Sequence, residues 1–292
     1  MKIFYYIAIF VFFILYLNTC TENPYFEDKI DVQKNRIIKG KVDLGYGTIP
    51  NNVYIWLEGL NLSDWTDNDG RFSIELPPAE SQPGDGLNGI YALFFYLANY
   101  KYEKFDLLVL DGSFRYDTDI IDSNGNFKET VTLTKILDIQ TVVLPDNIET
   151  TSKDTLNFDV RLECMIDSVY VQTHFNIWNT PSSLVFHKED SAIEDAILIQ
   201  GNPGIFKTIK LKGMETWPSA FVFPPNFFSQ GIFEVNPYLR IVQEGLPDEL
   251  LLSIDKNIFE VDFHYLYWPI KTKAGLLTVN NIEEQTYGIT LK

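Results

Sequence analysis

The sequence predicts an all-β protein built of two β-sandwich domains, and three observations carry that prediction. From Arg71 to Leu76, Phe72, Ile74 and Leu76 alternate with Arg71, Ser73 and Glu75, entered through Gly70 and stopped by Pro77-Pro78. From Leu156 to Cys164 the same alternation returns, with Leu156, Phe158, Val160, Leu162 and Cys164 on one parity. A period of two bounded by glycine and proline is the mark of a half-buried strand. Around these stretches lie further short apolar runs punctuated by Gly, Pro and Asn. No helix of convincing length interrupts them, although Ala192–Ala196 and Pro247–Ser253 allow a turn or two. Many short strands with such punctuation mean a sandwich.

Taken in order, the chain opens with one charge, Lys2, and then an unbroken apolar run of fifteen residues, Ile3–Leu17. That is short for a membrane span and matches the core of a signal peptide over residues 1–19. Leu17-Asn18-Thr19-Cys20 resembles a bacterial lipobox, which implies lipidation at Cys20 after cleavage; Thr19 departs from the small residue the pattern prefers. Cleavage by the ordinary signal peptidase, or an uncleaved anchor, are the alternatives. Residues 20–35 show no period and many charges, as a tether between lipid and folded chain would.

The first domain is expected over residues 36–145. Asn52–Pro78 reads as a strand, a turn carrying Asp67, Asn68, Asp69 and Gly70, and a second strand. Asp67 and Asp69 suit backbone-bonding turn positions and Gly70 a positive φ. A calcium loop fails on register, because an EF-hand glycine at Gly70 would put Trp65 and Leu76 at the first and last ligand positions. Ile90–Leu97 is apolar on both faces, as a strand covered on both sides would be. Tyr102–Leu110 follows, and Asn124-Gly125 reads as a two-residue hairpin opening a strand through Val131 and Leu133. Leu137–Glu149 then leads out, with Pro145-Asp146-Asn147 as the expected boundary.

Ile38-Lys39-Gly40-Lys41-Val42, Pro50 before Val53–Leu57, and Thr66, Asp67, Asp69, Gly70, Phe72 and Ile74 together resemble the carboxypeptidase regulatory-like family. The resemblance spans roughly residues 36–144 and implies a transthyretin-like, carbohydrate-binding-like β-sandwich. It implies no particular ligand, since such modules are appended to unrelated proteins. The insert Ala79–Asn88 is longer than a tight hairpin needs.

Residues 146–292 are expected to form a second, Ig-like sandwich. Its strand candidates after Cys164 are Ser168–Thr173, Leu184–Phe186, Ala196–Gln200, Phe206–Leu211, Tyr238–Val242 and Ile258–Tyr267. Gly-x-Phe recurs at strand entrances, Gly70/Phe72, Gly125/Phe127, Gly204/Phe206 and Gly231/Phe233, which reads as shared turn chemistry and not as a sequence repeat.

Composition narrows the partners. Forty acidic against twenty-three basic residues give a net charge of −17, so nucleic acid is not an expected partner and anionic headgroups would repel the chain. With Cys20 acylated, Cys164 alone remains, which excludes a disulfide framework; its apolar parity suits a core thiol. The zinc-carboxypeptidase H-x-x-E pair is absent, because His187 is followed by Glu189 one place early. No nucleophile elbow, phosphate-binding glycine loop or C-x-x-C is present. No catalytic residue, metal ligand or cofactor is therefore expected, while carboxylate pairs for glycoside hydrolysis stay open. Aromatic residues make up 15% of the chain and suit strands and cores. Trp65, set between Asp64 and Thr66, is the candidate ligand contact, with rim packing as the plainer account. The expected function is a non-catalytic, membrane-anchored envelope lipoprotein binding a glycan or a protein. The alternative is an exported hydrolase with its site in residues 146–292.

Overall fold

A computed structural model describes residues 35–45, 47–78, 81–82, 86–191, 195–200, 206–254 and 273–281. The expected signal peptide, Cys20, nearly all of the tether and the strand at Ile258–Tyr267 lie outside them. The chain is all-β apart from short helical segments.

The first half contains β1 (Ile37–Asp43), β2 (Tyr54–Leu57), β3 (Leu62–Trp65), β4 (Arg71–Glu75), β5 (Gly89–Tyr96), β6 (Glu103–Leu110), β7 (Ser113–Phe114) and β8 (Val131–Thr132). They form a three-stranded sheet, β4-β1-β8, facing a five-stranded sheet, β3-β2-β5-β6-β7. β1 runs antiparallel to β4 and parallel to β8. The β4 pattern sends Phe72 and Ile74 inward and leaves Arg71, Ser73 and Glu75 exposed. Ile38 and Val42 from β1, Ile55 and Leu57 from β2, and Leu93 and Phe95 from β5 complete the core between the sheets.

Asn52–Pro78 therefore holds three strands and not two. β2 and β3 form a hairpin in one sheet, and β4 belongs to the other. Trp65 is accordingly the last residue of an edge strand rather than part of the polar turn.

The second half contains β9 (Leu137–Leu144), β10 (Asn147–Glu149), β11 (Thr155–Cys164), β12 (Val169–His174), β13 (Ser183–Lys188), β14 (Ile197–Gln200), β15 (Phe206–Leu211), β16 (Met214–Val222), β17 (Gly231–Pro237), β18 (Leu239–Val242), helix α1 (Asp248–Ile254) and β19 (Gly275–Asn280). Three sheets, β16-β11-β9, β15-β12-β18 and β10-β19-β17-β13-β14, surround one core. Cys164 lies partly buried at its edge.

The expected boundary at 145/146 needs correction. β9 pairs antiparallel with β11 from Leu137↔Cys164 to Leu144↔Asn157. Leu137, Ile139 and Val143 are buried in the second core. The strand that reads as the exit from the first sandwich is thus part of the second, and the chain changes core near Lys135-Ile136. Asn99 marks that joint. It is 1% exposed, and its side chain donates to the Leu137 carbonyl at 2.7 Å and accepts the Leu137 N–H at 2.8 Å. Both groups are buried, so losing either bond would leave a polar atom unsatisfied at about 1–3 kcal/mol.

α1 explains why β5 is apolar on both faces. Leu250 and Leu251 pack on Tyr54, Trp56, Phe94 and Tyr96, the outer face of the five-stranded sheet. Tyr54 meets the Ser253 hydroxyl at 2.9 Å, and Tyr102 donates to the Glu244 carbonyl at 2.9 Å. Gln243 accepts the Tyr102 N–H at 3.0 Å and donates to the Tyr100 carbonyl at 2.9 Å. Fully burying one leucine is worth about 1.5–3 kcal/mol, so two from a helix of seven residues can seat it.

One five-residue turn is used three times. In Asp67–Arg71, the Asp67 Oδ1 accepts the Asp69 and Arg71 N–H groups at 2.9 and 2.8 Å, and the Asp67 carbonyl accepts the Gly70 N–H at 2.9 Å. Asp122–Asn126 repeats the pattern, with the Asn124 and Asn126 N–H groups both 2.8 Å from the Asp122 Oδ1. These bonds, those from Asn126 foremost, hold the Asp122 carboxyl below the usual carboxylate range. Asn176–Thr180 repeats it again, with the Asn176 Oδ1 3.0 Å from the Trp178 and Thr180 N–H groups. The fourth residue has positive φ each time: Gly70 at 79°, Gly125 at 83° and Asn179 at 61°. The expected two-residue hairpin at Asn124-Gly125 is replaced by this longer turn, since Asp122 anchors it from two residues upstream.

Gly70 is required for a second reason. A Cβ there would lie against the Val42 carbonyl oxygen and 2.9 Å from Pro50 Cγ, whereas at Gly45, also of positive φ, it would meet nothing within 4 Å. Gly45→Ala should therefore show only the strain of its backbone conformation, about 1 kcal/mol, and Gly70→Ala a clearly larger loss, on the order of 2–4 kcal/mol. Urea unfolding of the two variants measures the difference; equal midpoints would mean that the close approach at Gly70 is not real.

Candidate functional site

A cleft of about 700 Å³ opens on the outer side of the three-stranded sheet of the first sandwich. That is within the usual range of ligand pockets. Gly40, Phe72 and Phe127 form part of its lining, with Lys39, Lys41, Arg71 and Ser73 from β1 and β4. The register pairs Lys39 with Ser73 and Lys41 with Arg71. Asn126 to Thr130 wall one side, held to β1 by the Phe127 N–H donating to the Lys39 carbonyl at 2.7 Å. Beyond this wall a second opening of about 370 Å³ is lined by Phe105, Ile120 and the same segment.

Trp65 also borders the cleft and is 37% exposed, but it pairs directly across from Tyr54, so its indole lies on the α1 side of the five-stranded sheet. Its ring packs on Tyr54 with centroids 4.7 Å apart and planes tilted by 49°. Tyr54 is itself buried and bonded to Ser253, so the indole rests on a fixed support. A braced, part-exposed aromatic beside hydrogen-bonding groups suits a face of mixed C–H and hydroxyl character.

The charges in the cleft are unequally committed. The Asp64 Oδ2 accepts the Ser73 N–H at 2.7 Å, on the side of β4 away from β1. Asp67 is occupied by its turn, and Arg71 pairs with Asp69. Lys128 donates to the Thr118 carbonyl. The side chains of Lys39, Lys41 and Glu129 are exposed and have no hydrogen-bond or ion-pair partner among the described residues.

Of the residues singled out in the sequence, Trp65, Asp67 and Gly70 lie close together, with Trp65 and Asp67 both lining the cleft. Asp69 faces Arg71. Cys164 lies apart in the second half. Burial, and then the Glu215 carboxylate, push its thiol above the usual range, which keeps it protonated at neutral pH. Among the described residues, no three or more His, Cys, Asp or Glu side chains gather where they could hold a metal ion.

A second feature escaped the sequence reading. In the third copy of the turn, the two tip positions are Ile177 and Trp178, 70% and 79% exposed. The other two copies place Asn68-Asp69 and Ser123-Asn124 there. Lys207 flanks this tip, over the Phe175 ring and bonded to Asn179. The signal available was the Asn-x-x-Asn spacing of 176–179, which matches Asp-x-x-Gly at 67–70 and 122–125.

No family model matches the chain, and no curated protein matches it. Solved structures do. A type II cohesin–X-dockerin complex from Acetivibrio cellulolyticus matches at 16% identity over 34% of this chain and 56% of that chain, with a TM-score of 0.23. The major pilin subunit of Bacillus cereus matches at 12% identity over 72% of this chain and 65% of that one, with a TM-score of 0.28. A variant of the same pilin matches at 12% identity over 69% and 63%, also at 0.28. The chain thus spans between 56% and 65% of the length of these proteins. With TM-scores this low, the all-β sandwich fold rests on the chain's own strand pairing.

Proposed function

We propose that the chain is a non-catalytic binding module, tethered to a membrane as an envelope lipoprotein, whose first sandwich seats a glycan on the exposed indole of Trp65. One observation carries the reading: an indole 37% exposed and braced on a buried tyrosine, at the end of an edge strand of the first sandwich. The likeness of residues 36–144 to carboxypeptidase regulatory-like modules, a carbohydrate-binding-like fold, supports the same reading. The tether rests on the apolar run before Cys20 and the unpatterned residues 20–35. Among the described residues no helix is long and apolar enough to cross a membrane.

A second reading is favoured by the hairpin tip. Ile177 and Trp178 are exposed, yet the turn needs neither, because its bonds come from Asn176 and its backbone geometry from Asn179. A convex apolar pair held on a rigid turn suits the pocket of a protein partner, where aromatic anchors carry most of the binding energy.

Trp65→Ala should leave the melting temperature within a few degrees and remove binding on a glycan array, since an edge indole adds little to the core; array signals equal to wild type would remove the indole as the seat. For the tether, labelled fatty acid should enter the wild-type chain and fail to enter Cys20→Ala. Equal labelling of both would end the lipoprotein reading. Ile177→Ser with Trp178→Ser should leave glycan binding unchanged and abolish recovery of a specific protein partner by cross-linking in the producing cells. A partner recovered equally by the double variant would dismiss the tip.

A further inference from the structure

We infer that the Ile177–Trp178 tip docks into an acid-rimmed aromatic opening on the first sandwich of a second copy of this chain. The inference rests on the second reading above, in which the tip anchors a protein partner, and it names that partner.

The tip is an exception to the chemistry of its own chain. Forty of the 292 residues are acidic, yet Ser168–Lys188 and Ala196–Met214 hold no Asp or Glu. Those two stretches supply the tip together with β12, β13, β14 and β15. The sheet β15-β12-β18 carries Lys207, Lys210 and Arg240 and no carboxylate. Lys207 stands beside the tip, paired across from Thr173, over the Phe175 ring and bonded to Asn179. Ile177 and Trp178 therefore form an apolar knob in a cationic, acid-free surround. Such a knob is complementary to an apolar hollow with carboxylates at its mouth.

A hollow of that kind opens on the first sandwich. Its volume is about 370 Å³, large enough for an indole, and Phe105, Ile120, Phe127 and Val131 supply its apolar lining. Glu103, Asp119 and Glu129 line it as well. Lys128, the cation among its lining residues, is held by the Thr118 carbonyl. The neighbouring cleft of about 700 Å³ suits the tip less, because Lys39, Lys41, Arg71 and Lys128 there outnumber Asp64, Asp67 and Glu129 and would meet Lys207. An anionic lipid surface also suits it less, since it repels a chain of net charge −17.

The tip stands clear of its own first sandwich. Tyr170 pairs with Val242, next to Gln243, which bonds to Tyr100 and Tyr102. From there β12 runs about 13 Å to His174 before the turn begins. Trp178 is 79% exposed in the folded chain, so tip and hollow can meet only between copies. A knob on one surface and its hollow on another make a head-to-tail contact. One tip in one opening is a small interface, which places the affinity at roughly tens of micromolar.

The test is co-capture of two differently tagged copies of the full chain, kept in mild detergent. Wild type should capture wild type, and less so toward about 0.5 M salt. Ile177→Ser with Trp178→Ser removes the knob; Asp119→Lys with Glu129→Lys, both at exposed positions, reverses the rim. Either variant should capture itself at least about ten-fold less well than wild type does. The knob variant should still capture the rim variant, because that pair keeps one intact knob and one intact hollow. Misfolding of either variant could not produce this rescue. Self-capture of the knob variant at the wild-type level, or a mixed pair that fails while both variants melt like wild type, overturns the inference. Absence of wild-type self-capture overturns it too. If a different protein is then cross-linked through the tip in cells, the partner reading stands without self-docking. If wild type instead floats with phosphatidylglycerol vesicles and the knob variant does not, the partner is a membrane and both readings fall.

Discussion

The first sandwich depends on four phenylalanines that meet beneath a glycine. Phe72 packs edge-on against Phe95 and Phe127 at 5.1 and 5.6 Å. Phe105 closes the group against Phe95 at 5.7 Å and Phe127 at 5.4 Å. Two of the rings come from segments beside β1 and two from the opposite sheet, so the cluster is what joins the layers. Edge-to-face pairs of this kind add about 0.5–1.5 kcal/mol each beyond burial. Gly40 makes room for them: a Cβ there would sit 2.6 Å from the Phe72 ring and 3.1 Å from Phe127. Both Phe72 and Phe127 follow a turn glycine by two residues, so the repeated turn delivers the rings on either side of β1. The cleft lies over this junction, lined by Gly40, Phe72 and Phe127.

The two halves are joined by means that local patterning does not display. Asn99 pairs with Leu137 as a strand would, and α1 seats two leucines on the outer face of the first sandwich. The Ile136 N–H adds a backbone bond across the same joint, to the Asn99 carbonyl at 2.9 Å. The first sandwich therefore keeps one apolar sheet face that, among the described residues, the second half covers. Its aromatic residues on that face, Tyr54, Trp56, Phe94 and Tyr96, look like core in the sequence because they are core, but of the pair and not of one domain.

The sequence was most legible where one strand has one wet face. β4 and β11 follow their alternation throughout. β16 went unread although it is nine residues long, because Pro218 interrupts it and Trp217 is its only fully buried side chain. β17 was read only at its entrance, Gly231/Phe233, and β19 was missed, opening on a glycine that reads as a turn. The allegiance of β9 was hidden, since its pattern of buried Leu137, Ile139, Thr141 and Val143 says that it faces a core and not which one. At the candidate site, Trp65 and the Asp67–Gly70 turn could be named from residue type and spacing. Lys39 and Lys41 could not, because only the pairing of β1 with β4 sets them in the cleft beside Arg71.

The thrice-used turn separates scaffolding from display. Its geometry is written by the first residue, whose side-chain oxygen gathers two N–H groups, and by the fourth, which accepts a left-handed backbone. The side chains of the second and third residues take no part in those bonds, and they range here from Asn-Asp to Ser-Asn to Ile-Trp. Each such loop is a fixed mount with an interchangeable face. Substitution at the mount disturbs folding, whereas substitution at the face changes only what the molecule presents. A lineage carrying this fold can explore new contacts at three places without renegotiating its core, and a protein engineer could graft at the same pairs of positions.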